Sequence, residues 1–142
     1  MASEIRKDYI QDKYVIIAPR RGKRSVEFKK PSLYSVSADQ VCHFCPINLD
    51  RESDVLTTGG ESAWDVKVVP NKFPAVSLDN SRAYGIQEVV VETPKHNLHL
   101  ENLPELQIAK LLWVYAQRTK AIARDKKIEY ILIFKNEGGP AG

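Results

Sequence analysis

Residues 102–134 read NLPELQIAKLLWVYAQRTKAIARDKKIEYILIF, and this stretch decides the fold class. Asn102 is a residue of N-cap type, Pro104 lies where a first helical turn tolerates proline, and Glu105 follows three residues after the cap. Ile108, Leu111, Leu112, Tyr115, Thr119 and Ile122 recur at helical spacing, so the sequence predicts one amphipathic helix from Asn102 to about Arg124. Arg124, Lys126 and Lys127 suit the negative end of its dipole. Tyr130–Phe134 (YILIF) is an unbroken apolar run of strand length, read as a central strand. The Gly-rich Lys135–Gly142 (KNEGGPAG) follows as a loop.

Upstream of the helix the pattern is that of strands. Tyr14–Ala18 (YVIIA) is rich in β-branched residues, reads as a buried strand and ends at Pro19. Asp65–Val69 (DVKVV) alternates and is closed by Pro70. Ile86–Glu92 (IQEVVVE) is closed by Thr93-Pro94. Residues 20–40 are polar and basic, Cys42–Pro46 forms a tight knuckle, and residues 48–63 read as an exposed loop. Strands, one long helix and a further strand predict an α+β domain, with the helix laid on one face of a mostly antiparallel sheet. No internal repeat is visible.

A chain of 142 residues with 43% hydrophobic and 27% charged residues has enough apolar material for a core without disulfides, which excludes disordered and fibrous classes. No apolar run approaches the roughly 20 residues of a membrane span. The opening MASEIRKDYI is charged and unlike a signal peptide, so a cytoplasmic protein is expected. The net charge of +3 is unevenly placed. Residues 1–31 carry nine Lys/Arg and four Asp/Glu, whereas residues 32–142 carry twelve and fourteen. A basic run such as Arg20, Arg21, Lys23 and Arg24 serves as a solvated loop or as an anion site. It has little aromatic interleaving, which argues against nucleic acid as the partner.

The two cysteines, Cys42 and Cys45, form one Cys-x-x-Cys. The pair could be half a zinc site, a redox couple or two inert thiols. His43 lies inside the knuckle, where ring geometry disfavours the same metal. His96, rigidly placed after Pro94-Lys95, and His99 are the remaining imidazoles, so the chain offers three ligands and not four. Arg21 and Arg24, three apart, could fork onto a diphosphate. Asn71 reads either as a turn residue or as a reader of sugar hydroxyls and base edges, with Phe73 able to stack on a base. Asn136 precedes Gly138 and Gly139, where backbone N–H groups can approach a phosphate.

Five segments occur in a telling order: IRKDYIQDKYVIIAPRRGKR (5–24), CHFC (42–45), WDVKVVPNKFPAV (64–76), EVVVETPKH (88–96) and IFKNEGGPAG (133–142). Together they resemble the galactose-1-phosphate uridylyltransferase family of the histidine-triad superfamily, and equally its nucleoside-diphosphate-sugar phosphorylase relatives. The resemblance implies a histidine-triad-like half-barrel and a ping-pong transfer. A histidine attacks UDP-glucose, and the uridylyl group then passes to a hexose 1-phosphate. It implies zinc on Cys42, Cys45 and His96, which favours His96 over His99. It also implies substrate contacts from Arg21, Arg24, Asn71, Phe73, Asn136 and Gly142, and a homodimer. The family's next run, His-x-His-x-Gln, would follow Gly142. Residues 1–142 are therefore expected to be an N-terminal domain that holds no catalytic histidine and is inactive alone. The alternatives are a phosphorylase, or a non-catalytic zinc-stabilised module that binds nucleotide sugars.

Overall fold

The computed structural model describes residues 2–21, 42–49, 53–60 and 63–136. Among these described residues are five strands and one long helix: β1 Glu4–Lys7, β2 Tyr14–Ile17, β3 Leu56–Gly60, β4 Ala63–Pro70, β5 Glu88–Val91 and α1 Glu105–Ile122. All pairings are antiparallel, and the strands divide into a β1-β2 hairpin and a β3-β4-β5 sheet. The expected α+β architecture of antiparallel strands with one helix is what the chain adopts.

The core is where α1 crosses the three-stranded sheet. Alternation along β4 turns Val66 and Val68 to one face, where they meet Leu111 and Val114. Leu56, Val90, Leu100 and Tyr115 pack around these four. Polar groups fix the helix to the sheet edge. Gln107 Nε2 donates to the carbonyls of Asp65 (2.7 Å) and Glu92 (2.8 Å). Arg118 forks onto Glu88 at 2.9 and 2.7 Å, and Lys110 meets Asp65 at 2.5 Å. On β4, the Lys67 side chain is itself buried and its ammonium is held by Asp54 at 2.7 Å.

Several sequence expectations change in detail. Helix α1 begins at Glu105, with Pro104 and not Asn102 at the cap. The cause is Pro104 itself: the residue before a proline is pushed out of the helical region, and Leu103 is extended (φ −76°, ψ 143°). Asn102 instead ends a 3₁₀ turn, Leu100–Asn102. Along the helix Val114 is buried and Leu112 is exposed, because the apolar stripe is centred one position away from the expected one. Residues 48–63 are not all loop, since Leu56–Gly60 pairs with β4. The Thr-Thr-Gly-Gly composition hides that strand. Its register shifts at Thr58/Gly59, where Gly59 has φ +87° and a Cβ would lie 2.6 Å from the Ala63 carbonyl oxygen.

Two strand assignments need larger correction. β2 is a strand but is exposed along its whole length, because its two-stranded hairpin has no third layer over it among the described residues. Tyr130–Phe134 forms no strand among the described residues, and Tyr130, Leu132, Ile133 and Phe134 are all exposed. An apolar run specifies an extended segment only where a neighbouring edge accepts its backbone hydrogen bonds. No helix of the described residues is long and apolar enough to cross a membrane.

Candidate metal centre and anion cleft

The knuckle is a pair of consecutive turns. Cys45 N–H donates to Cys42 O at 3.3 Å, and Asn48 N–H and Leu49 N–H donate to Cys45 O at 2.9 and 3.1 Å. His96 comes from the other side of the sequence, just beyond β5. Gln107 holds the Glu92 carbonyl, and Lys95 N–H donates to Thr93 Oγ1 at 3.2 Å, which bends the chain through Pro94. The result places Cys45 Sγ 3.3 Å from His96 Nδ1, across 51 residues of sequence. The donor atoms of Cys42, Cys45 and His96 all lie within 4.8 Å of one another.

These residues fit a metal. Ligand atoms of a tetrahedral zinc lie about 3.5–3.8 Å apart, given Zn–S near 2.3 Å and Zn–N near 2.0 Å. Two thiols and one imidazole form a borderline-soft donor set. Both thiols are free, so no disulfide competes for them in this structure. Without a cation, partial burial pushes the Cys45 thiol up, and the neighbouring Cys42 thiol pushes it further. A bound cation would reverse that preference by stabilising the thiolate. His99 stands apart from the cluster, at the start of the 3₁₀ turn, where its carbonyl accepts from Asn102 N–H at 3.0 Å. His43 is exposed within the knuckle and is likewise outside the cluster.

A second feature is a cleft of about 520 Å³ between the end of β2 and the loop after β4. Arg20, Arg21, Lys72, Phe73, Asp79 and Asn80 line it. Asn80 Nδ2 donates to Ser3 O at 2.7 Å and Ile5 N–H to Arg82 O at 2.8 Å, so the hairpin and the loop are stitched together. Ala75 N–H donates to Gln87 Oε1 at 2.7 Å, which holds the loop from its other side. Three cations face one carboxylate here, so the cleft favours an anion.

Of the residues singled out from the sequence, Cys42, Cys45 and His96 come together at one place, and Arg21 and Phe73 at another. Asn71 is not among the cleft residues. Its Oδ1 accepts from Phe73 N–H at 2.9 Å, the turn role that its sequence position allowed. Asn136 follows Lys135, whose ammonium meets Glu92 at 2.9 Å, near the chain that leads to His96. Arg24 and Gly142 lie outside the described residues. Lys72, Asp79 and Asn80 were not anticipated. Lys72 was findable, since it sits between Asn71 and Phe73 in the NKFP segment; Asp79 and Asn80 join only through folding.

The domain thus carries a Cys₂His cluster and a basic cleft, and comparison with known proteins narrows what they serve. Residues 77–142 match the family described as galactose-1-phosphate uridyl transferase, N-terminal domain. ADP-glucose phosphorylase of Arabidopsis thaliana is 30% identical over 98% of the chain and 44% of its own length. Galactose-1-phosphate uridylyltransferase of Thermotoga maritima is 26% identical over 98% of the chain and 42% of its own length. Among solved structures, a galt-like protein of A. thaliana covers the whole chain with a TM-score of 0.63 at 26% identity, over 43% of its own length. The A. thaliana ADP-glucose phosphorylase with bound ADP-glucose covers 99% with a TM-score of 0.62 at 29% identity, over 44% of its own length. The chain thus spans less than half the length of these relatives. Over residues 77–142 the chain is similar to the N-terminal domain of galactose-1-phosphate uridyl transferases, and its fold is shared by the galt-like protein and the ADP-glucose phosphorylase.

Proposed function

We propose that residues 1–142 form the N-terminal domain of a UDP-glucose:hexose-1-phosphate uridylyltransferase whose zinc is held by Cys42, Cys45 and His96. The observation that carries this reading is the convergence of the two thiols and the imidazole from segments 51 residues apart. Zinc held there supplies a redox-inert cross-link between the knuckle and the end of β5. The cleft suits the charged part of a nucleotide sugar. Arg20, Arg21 and Lys72 offset diphosphate charge, and Phe73 offers a face for the base. Asn80 and Asp79 offer polar partners for hydroxyls. Arg24, Asn71, Asn136 and Gly142 complete the substrate contacts in this reading. None of His43, His96 and His99 is assigned the attack on phosphorus, so residues 1–142 alone bind substrate without turnover. The working enzyme is a cytoplasmic homodimer.

A second reading has its own support. The 30% identity to an ADP-glucose phosphorylase over 98% of the chain favours phosphorolysis of a nucleotide sugar, with inorganic phosphate as the acceptor. The full-length protein separates the two. With UDP-glucose and galactose 1-phosphate, the first reading expects UDP-galactose and glucose 1-phosphate. With ADP-glucose and phosphate, the second expects ADP and glucose 1-phosphate. Tight nucleotide-sugar binding with neither product would leave a non-catalytic binding module and overturn both.

A further inference from the structure

Asn48 sits three residues beyond Cys45 and bonds to both cysteines of the knuckle. Its side-chain Nδ2 donates to the Cys42 carbonyl at 2.9 Å. Its backbone N–H donates to the Cys45 carbonyl, also at 2.9 Å. The direct link between the cysteines, Cys45 N–H to Cys42 O, is longer at 3.3 Å. Asn48 is thus the tighter of the two ties on the Cys42 backbone. It is also exposed, so its amide contributes little to a core and much to the shape of the turn. Ile47, its neighbour, is 90% exposed.

We propose that Asn48 is a positioning residue of the metal site. Its side chain fixes the Cys42 carbonyl, and through it the direction of Cys42 Sγ relative to Cys45 and His96. This inference rests on the reading of Cys42, Cys45 and His96 as metal ligands. Partners that bond a ligating group itself alter metal affinity by about 10–100-fold when removed, and a tie on the ligand's own backbone acts one step further out, at the low end of that range. Without the amide, the Cys42 side chain samples directions from which it does not converge with the other two donors. An entropic cost then falls on each binding event.

Cobalt(II) is the probe, because its thiolate charge-transfer and d–d bands report ligand geometry as well as occupancy. The full-length wild-type protein, Asn48→Leu, Asn48→Ala, Asn48→Gln and Ile47→Ala are titrated in reducing buffer, and metal-free thermal midpoints are measured beside them. Expected are about a tenfold or greater loss of cobalt affinity and altered d–d bands in Asn48→Leu and Asn48→Ala. Asn48→Gln, which keeps the amide donor, recovers part of the affinity, and metal-free midpoints stay within about 2 °C. Wild-type affinity and unchanged bands in both Asn48→Leu and Asn48→Ala would overturn the inference while leaving the ligand assignment intact. So would an equal loss in Ile47→Ala, which would mark any knuckle change as harmful. A wild-type protein that takes up no cobalt would remove the ligand assignment and this inference together.

Discussion

Strands β4 and β2 are both built from β-branched residues, yet they occupy opposite environments. Val66 and Val68 on β4 are fully buried, whereas Tyr14, Val15, Ile16 and Ile17 on β2 are all exposed. The difference lies in what covers each strand. Helix α1 lays Leu111 and Val114 on β4, and β3 and β5 flank it. Among the described residues β2 has only β1 beside it, and main-chain bonds such as Ile5 N–H to Arg82 O hold the hairpin to the body. Glu4 adds ion pairs with Arg6 and Arg82. Strand composition therefore describes an extended, pleated segment, while burial is conferred by a partner layer. The stability of the domain should concentrate where α1 meets the sheet.

The largest expected effect tests that concentration. Leu111→Ala should lower stability to urea by about 2–5 kcal/mol, through lost transfer energy and an uncollapsed cavity. Arg118→Ala should cost about 2 kcal/mol, because it leaves the largely buried Glu88 carboxylate without its bidentate partner. A smaller effect appears at alkaline pH. Burial and the nearby Glu92 carboxylate push the Tyr115 hydroxyl from its ordinary value of 10 up to about 12. The unfolded chain loses this proton first, so the stabilisation is complete below pH 10 and fades as pH climbs toward 12. Tyr115→Phe should flatten that part of the denaturation-versus-pH curve. The smallest effect is on the hairpin: Ile16→Ala should cost no more than about 1 kcal/mol, since its side chain is already half in water. If Ile16→Ala in the full-length protein rivalled Leu111→Ala, the hairpin would be a core element and the contrast would fail.

Much of the helix–sheet layer was legible in the sequence. The 3.6-residue spacing through Leu111 and the alternation over Asp65–Val69 are local signals, and both elements form close to where they were expected. The helix start was misplaced because the cap-like Asn102 and the proline gave competing signals, and the steric effect of Pro104 won. β3 was illegible because Leu56–Gly60 carries little strand propensity and exists through its pairing with β4. Tyr130–Phe134 carried a strong strand signal, but a ladder needs an edge as well as a run, and composition says nothing about edges. At the site, the Cys-x-x-Cys was plain from spacing. Its union with His96 came from the order of motifs and not from any local pattern. The cleft was half legible: Arg21 and Phe73 stood out, whereas Asp79 and Asn80 reach it only because Asn80 ties the loop to Ser3.

The proposed function requires the Cys42–Cys45–His96 cluster to hold zinc. The most direct measurement is elemental analysis of the full-length protein purified from zinc-supplemented medium, beside Cys45→Ser and His96→Ala. About one zinc per wild-type chain is expected, with substantial loss in both variants. A wild-type protein free of zinc, or variants that retain it in full, would overturn the assignment of these three ligands.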